Sequence, residues 1–170
     1  MMVVTSVDCE FASSEGRRNR ENRNSPARVF ARQYLSDLLY SLLPTGWFVA
    51  CRSPITIPDS EPKPDVAIIL GERRRFLVLN RHPGPTEVEF LIELAGPSLA
   101  LDEAIKVRFY AAVGVSRCWL VDVMNRRVLV YSQPSASMYR QRQVFVAGDR
   151  VPVMLDGREV GRIGVRELFL

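Results

Sequence analysis

The chain has few of the residues from which common catalytic and metal sites are built. Its 170 residues include three cysteines and one histidine. Cys9, Cys51 and Cys118 are scattered and form no CxxC pair. This argues against a zinc site or a disulfide framework and indicates a reducing, cytoplasmic compartment. The single histidine, His82, excludes His-rich metal sites and disfavours a Ser-His or Cys-His triad.

Long apolar runs are also missing. No stretch approaches the roughly 20 apolar residues of a membrane span, and the N-terminus lacks the pattern of a signal peptide, so no membrane partner is expected. Apolar residues make up 47% and charged residues 25% of the chain, as in ordinary globular proteins. The net charge of +4 permits a polyanionic partner without requiring one.

The sequence predicts a basic tail followed by a single domain. Residues 1–24 show little apolar periodicity and contain several arginines. We expect this tail to be disordered, and either to have no role or to be attracted to nucleic-acid phosphates. We expect one domain over residues 25–170, a length that can bury a real core.

Helical and extended patterns alternate through that domain. Ser25 as N-cap and Pro26 at the first helical position predict a helix that ends before Pro44. A second helix is predicted over 101–113, with Gly114 as its C-cap. Residues 71–85 look like a loop in which 76–79 could be a short strand. Strands are predicted at 47–52, 66–70, 88–94, 118–123, 128–132, 138–146 and 151–155, and a short helical turn at 165–170.

Two carboxylates flank two of these strands. Asp65 begins the strand at 66–70, and Glu93 nearly ends the strand at 88–94. If the strands pair antiparallel, both carboxylates reach the same end of the sheet. Two carboxylates, with the Leu94 carbonyl as a third oxygen, suit Mg²⁺ or Mn²⁺. The plainer alternative is an Asp in a Pro-Asp turn and a Glu that merely ends a strand.

The helix after Glu93 carries a polar stripe. Asp102, Lys106 and Tyr110 are spaced at i, i+4 and i+8, so they share one side. Lys106 can lean back toward Glu93, because helical side chains point toward the N-terminus. An Asp/Lys surface salt bridge is the alternative. A neighbouring apolar stripe is expected to face the core and consists of Leu101, Ile105, Phe109 and Ala112.

Several arginines are candidate contacts for nucleic-acid phosphate. Arg28 and Arg32 share one flank of the first helix, where we expect a solvated face and a phosphate contact is the alternative. A second cluster in the loop between the two acidic strands either holds a duplex backbone or keeps the loop soluble, and consists of Arg73, Arg74 and Arg75.

Taken together, these residues resemble the Uma-two family of restriction endonucleases, which belongs to the PD-(D/E)XK nuclease superfamily. The likeness extends from about Ser25 to the C-terminus. The residues that carry it are Pro64-Asp65-Val66, Ile92-Glu93-Leu94-Ala95-Gly96-Pro97-Ser98, Asp102, Lys106, Tyr110, Gly114-Val115, Trp119 and Val121-Asp122.

The resemblance implies a restriction-endonuclease-like α/β fold, a mixed central sheet flanked by helices. It implies that Asp65 and Glu93 bind Mg²⁺ or Mn²⁺. The superfamily's lysine position, two residues after the second acid, is Ala95 here, and in this family the lysine is thought to lie on the following helix, which matches Lys106. Asp102 and Tyr110 are expected to support the site.

The expected function is therefore a metal-dependent DNA endonuclease, acting as a homodimer if both strands are cut. The chain departs from the family in three ways: residues 1–24 lack its Tyr-Glu-Leu-Ile-Asp-Gly-Glu-like pattern, Ala27-Arg28 stand where a histidine is common, and Gly96 stands where a serine is usual. These departures favour an alternative, a weakened or inactive relative that binds DNA or a protein.

Overall fold

The computed structural model describes residues 25–97 and 99–169, so the prediction of a disordered tail over 1–24 lies outside the described residues. We number the helices and strands in chain order and use α3 for the helical residues 99–112. They are α1 Pro26–Leu42, β1 Trp47–Cys51, β2 Val66–Leu70, α2 Arg73–Val78, β3 Val88–Ala95, α3, β4 Arg117–Asp122, β5 Arg127–Ser135, β6 Met138–Phe145, β7 Arg150–Leu155 and β8 Arg158–Gly164. Short 3₁₀ turns span Pro85–Glu87 and Val165–Phe169.

The first six strands form one mixed sheet in the order in which they occur along the chain. All neighbouring strands are antiparallel except β3 and β4, which are parallel and connected through α3. A parallel pair needs such a crossover, whereas antiparallel neighbours need only a turn. β7 and β8 form a separate hairpin. This helix-flanked mixed sheet confirms the predicted fold class.

Apolar clusters cover both faces of the sheet. On one face α1, the β7–β8 hairpin and the last 3₁₀ turn pack over alternate residues of the central strands. On the other face lie α2 and α3. Side chains alternate across a strand, so Ile92 and Leu94 of β3 belong to the first cluster and Leu91 and Ala95 to the second. Trp119 is fully buried and stacks on Phe90, which gives it a core role.

One secondary-structure prediction is wrong, and one strand was missed. Residues 76–79, a candidate strand, lie in or just after the helix α2, which buries Phe76 against the sheet. Arg75 and Arg81 stack over the Phe76 ring, and a short amphipathic helix of this kind gives too few residues for its period to show. The strand β8 was not predicted, although Asp156-Gly157 before it is a hairpin signal.

The predicted core-facing stripe of α3 is wrong at three of its four positions: Leu101, Ile105 and Ala112 are exposed, whereas Phe109 packs against the apolar cluster on that face. Leu101 and Ile105 are 55% and 54% exposed, whereas Val107, Tyr110 and Ala111 are buried. The middle of α3, Glu103–Val107, is π-helical, and a π turn takes in an extra residue and shifts the phase of the helix. As a result, the stripe of Asp102, Lys106 and Tyr110 faces the sheet.

The helix α1 begins where predicted, but the Ser25 side chain makes no capping hydrogen bond. Within the described ranges, no helix combines the length and apolar character needed to cross a bilayer.

Candidate active site

The candidate site lies where β2 begins and β3 ends. The two strands pair antiparallel with Val66 opposite Ile92, which places Asp65 beside the end of β3. The Leu94 backbone N–H donates to Asp65 Oδ2 at 3.0 Å. Asp65 is buried, at 6% exposure, as is Glu93, at 4%. The sheet therefore holds both predicted acids at one end.

Glu93 is bound by two side chains of α3. Lys106 Nζ donates to Glu93 Oε2 at 3.0 Å, and the Tyr110 hydroxyl donates to Oε1 at 2.8 Å. Lys106 Nζ also lies 3.4 Å from Asp102 Oδ1. The π-helical segment contains Lys106, and its phase turns the polar stripe toward the sheet face from which Glu93 projects.

Burial and charge act against each other in this cluster. Burial raises the pKa of Glu93, Lys106 opposes that rise, and the nearby charge of Asp65 adds to it. Burial alone would lower the pKa of Lys106, but the charges of Glu93 and Asp102 and the hydrogen bond to Glu93 raise it overall. Lys106 is therefore an ammonium at neutral pH. Burial, then the charge of Glu93, raises the pKa of Tyr110 well above its usual range, so its hydroxyl stays protonated and donates a hydrogen bond to Glu93.

Three arginines surround Asp65. Arg32 Nη1 lies 3.4 Å and Arg52 Nη1 3.9 Å from Asp65 Oδ1. Arg28 Nη2 lies 3.8 Å from Asp65 Oδ2 and donates a hydrogen bond to the Leu94 carbonyl. Arg28 and Arg32 come from α1 and Arg52 follows β1, so cations reach the carboxylate from the opposite side to Lys106.

The arginine predictions therefore have different outcomes. Arg28 is only 7% exposed, so the expectation that it lies on a solvated face is wrong: its side chain turns inward to Asp65 and the Leu94 carbonyl, while Pro26, Ala27 and Val29 of the same turn are exposed. Arg32 is partly buried beside Asp65. Sequence reasoning missed Arg52. The signal was the pairing of Cys51 with Val66, which puts Arg52 next to Asp65.

The structure does not bring the second arginine cluster to the acids. Arg73, Arg74 and Arg75 lie in α2, which connects the end of β2 to the start of β3, and this connection is at the opposite end of the strand pair from Asp65. Arg73 donates to the Val49 carbonyl at 3.0 Å, and Arg75 pairs with Glu87 at 3.2 Å. A DNA contact through these arginines stays a prediction.

The oxygens near Asp65 and Glu93 suit a hard divalent cation in their chemistry, since two carboxylates and one carbonyl converge. Each of them already accepts a hydrogen bond or faces a cation, as described above. A cavity of about 430 Å³ opens against β1 and β2, but neither acid nor Lys106 lines it. No cluster of three or more His, Cys, Asp or Glu able to hold a metal occurs in the described part of the chain. The site is thus filled by its own side chains.

A cysteine nucleophile is excluded next to this cluster. Cys118 of β4 is fully buried. Burial, with the charge of Glu93, raises the pKa of Cys118 well above its usual range. Its thiol stays protonated and acts as a small apolar group.

Comparison with known proteins identifies the family of the chain. A sequence model of the Uma2 family, described as "Putative restriction endonuclease", matches residues 22–160. The chain belongs to the Uma2 family. A similar solved structure is that of "a putative nuclease belonging to DUF820" from Anabaena variabilis ATCC 29413, with a TM-score of 0.64 and 16% identity over 85% of this chain and 81% of that one. No curated protein matches the chain.

At this identity the Anabaena structure shows a shared fold alone. Membership of the Uma2 family supports a nuclease-like function. The roles of Asp65, Glu93 and Lys106 within that function are taken up next as proposals.

Proposed function

We propose that this Uma2 chain is a metal-dependent endonuclease that hydrolyses phosphodiester bonds in DNA. The observation that carries the proposal is the hydrogen bond from Lys106 Nζ to Glu93 Oε2 at 3.0 Å, formed at the buried end of the sheet beside Asp65. An acid pair that can hold a metal ion and an amine that can stabilise negative charge are a suitable set for metal-dependent hydrolysis of a phosphate diester. Family membership supports the same reaction class.

Asp65, Glu93 and the Leu94 carbonyl would hold Mg²⁺ or Mn²⁺. When bound, such an ion supplies positive charge at a phosphate oxygen and makes a water molecule more acidic. Lys106, as an ammonium, donates hydrogen bonds to the attacking water or to the phosphate and stabilises negative charge that develops there. Asp102 and Tyr110 hold Lys106 and Glu93 in place through the contacts at 3.4 Å and 2.8 Å.

Plasmid cleavage tests the proposal. Supercoiled DNA is incubated with the full chain and MgCl₂ or MnCl₂, and nicked and linear products are quantified. We expect Asp65→Asn, Glu93→Gln and Lys106→Met each to lower the rate by about a hundredfold or more. Glu159→Gln is a matched control, because Glu159 lies on β8 and pairs only with Arg162 among the described contacts. Cleavage that persists in all three variants would rule out this mechanism.

A second function is favoured by one observation. Three arginines surround Asp65, and Arg28 binds the Leu94 carbonyl, an arrangement that also suits a nuclease-fold protein that binds DNA without cutting it. Fluorescence anisotropy with a labelled duplex distinguishes the two. This second function predicts binding that weakens steeply with salt and no cleavage product with either metal.

A further inference from the structure

Arg28 is a buried cation in contact with two of the oxygens proposed as metal ligands. Its Nη2 donates to the Leu94 carbonyl and lies 3.8 Å from Asp65 Oδ2. Its side chain comes from the first turn of α1 and is 9% exposed. A guanidinium cannot lose its proton in a protein, so this charge is permanent.

The position of Arg28 matters more than its charge. Arg32 and Arg52 approach the other oxygen of Asp65, Oδ1, and no contact between them and the Leu94 carbonyl is found among the described residues. A divalent ion held by Asp65 and Leu94 would touch the same carbonyl and the same carboxylate. An ion in contact with both the Leu94 carbonyl and Asp65 Oδ2 would take the place of Arg28 Nη2, and like charges that close repel each other in a buried site.

We propose that the Arg28 guanidinium occupies the cation position of the site, and that a divalent ion binds only when Arg28 moves away. This inference rests on the proposed ligand set of Asp65, Glu93 and the Leu94 carbonyl. The Arg28 side chain of α1 then competes with the metal ion for the site. Metal binding requires displacement of Arg28, and the free energy of this displacement lowers the apparent metal affinity of the chain.

Removal of Arg28 leaves the acids with other partners. Asp65 keeps Arg32, Arg52 and the Leu94 N–H, and Glu93 keeps Lys106 and Tyr110. Arg28→Met also retains an apolar stem of similar length. The variant is therefore expected to fold, and Arg28→Gln, which keeps an N–H donor for the Leu94 carbonyl, serves as a second neutral variant.

Thermal melting of the full chain during a MnCl₂ titration tests the proposal without DNA. We expect Arg28→Met to reach its half-maximal rise in Tm at a Mn²⁺ concentration at least about tenfold lower than the unaltered chain. Arg32→Met is the matched control. It removes the same charge from beside the same carboxylate, so it should lower the required concentration much less, because the Leu94 carbonyl remains occupied.

Each outcome of the titration either supports or overturns the proposal. Equal Mn²⁺ responses in the unaltered chain, Arg28→Met and Arg28→Gln overturn the proposal, as does an Arg32→Met effect as large as that of Arg28→Met. If the double variant Arg28→Met, Asp65→Asn shows the same Mn²⁺-dependent rise in Tm as Arg28→Met, the ion binds elsewhere, and the proposal is also overturned. Tight Mn²⁺ binding by Arg28→Met without plasmid cleavage supports the occupancy of the site by Arg28 and contradicts the proposed nuclease function, so the two can fail separately.

Discussion

At the scale of single residues, the site is a set of buried charges that need one another. Glu93 is buried and accepts hydrogen bonds from Lys106 and Tyr110. Asp65 forms ion pairs with three arginines and accepts a hydrogen bond from a backbone N–H. A buried charge that loses its partner destabilises the protein more than the intact pair stabilises it. Substitutions here are thus expected to change stability as well as activity.

The Lys106–Glu93 pair can be measured by a double-mutant cycle in urea. Lys106→Met leaves Glu93 buried beside Asp65 without its ammonium partner. We expect a coupling energy between Lys106→Met and Glu93→Gln of about 1–2 kcal/mol, reduced from the value for a fully buried pair because Lys106 is 31% exposed. If the double variant loses as much free energy of unfolding as the two single variants together, the two residues are not coupled and the prediction is wrong.

Glu87 gives a residue-level prediction outside the site. Its hydrogen bond from Arg81 lowers the pKa of Glu87 from 4.5 to about 2. A lowered pKa means that the stabilisation is complete above pH 4.5 and is lost as the pH falls toward 2. We expect Glu87→Gln to cost about 1 kcal/mol at pH 7, a figure discounted for the exposed arginine.

The measurement is urea unfolding of both chains at several pH values. The difference between Glu87→Gln and the unaltered chain should shrink steadily between pH 4.5 and pH 2. A difference that stays constant over this range would show that Glu87 contributes through packing and not through its charge.

The acids and the lysine could be predicted from the sequence because strand order and helix spacing determine their positions. Asp65 and Glu93 flank apolar runs, and Lys106 follows at helical spacing. The arginine partners could not be predicted in this way. Arg28 reaches Asp65 because α1 packs on one face of the sheet, and the position of α1 depends on the apolar cluster beneath it, which residues distant in the sequence build.

At the scale of the helices and strands, α3 shows why a helical period can mislead. The spacing predicts that Leu101 and Ile105 face the core, yet both are exposed, and the π-helical Glu103–Val107 turns the polar stripe inward. An extra residue in one turn leaves no mark in composition. It becomes visible only where the buried residues cease to follow a period of 3.6.

Paired substitutions on α3 test this phase. Leu101→Gln and Ile105→Gln should change the free energy of unfolding by no more than about 0.5 kcal/mol, as surface substitutions do. Val107→Ala, at a buried position, should cost about 1–3 kcal/mol. Urea unfolding of the three variants tests which side of α3 packs on the sheet. A larger loss of free energy of unfolding for Leu101→Gln than for Val107→Ala would mean that the side with Leu101 faces the sheet.

At the scale of the whole molecule, the sheet carries an apolar cluster on each face. Strands β1 to β5 each contribute buried residues to both clusters, so unfolding of one cluster would remove the strands on which the other cluster packs. We therefore propose that residues 25–170 form a single domain that unfolds in one step.

Coincident unfolding curves test this proposal. Trp119 belongs to the cluster under α1 and Trp47 packs against it, so tryptophan fluorescence reports on that cluster, and far-ultraviolet circular dichroism reports on all helices and strands. In urea, tryptophan fluorescence and circular dichroism should give the same midpoint and slope. Separated midpoints would show that one face of the sheet comes apart before the other.

The placement of the amine on α3, and not on β3, has a consequence for protein engineering. Ala95 occupies the strand position two residues after Glu93 and is fully buried, whereas Lys106 arrives on a separate element. A library of variants confined to residues 99–112 can therefore reposition the ammonium while the register of the strands stays intact. The distance of the amine from Glu93, its orientation and its pKa can then be changed by substitutions in one helix. The strands that position the two acids need no change.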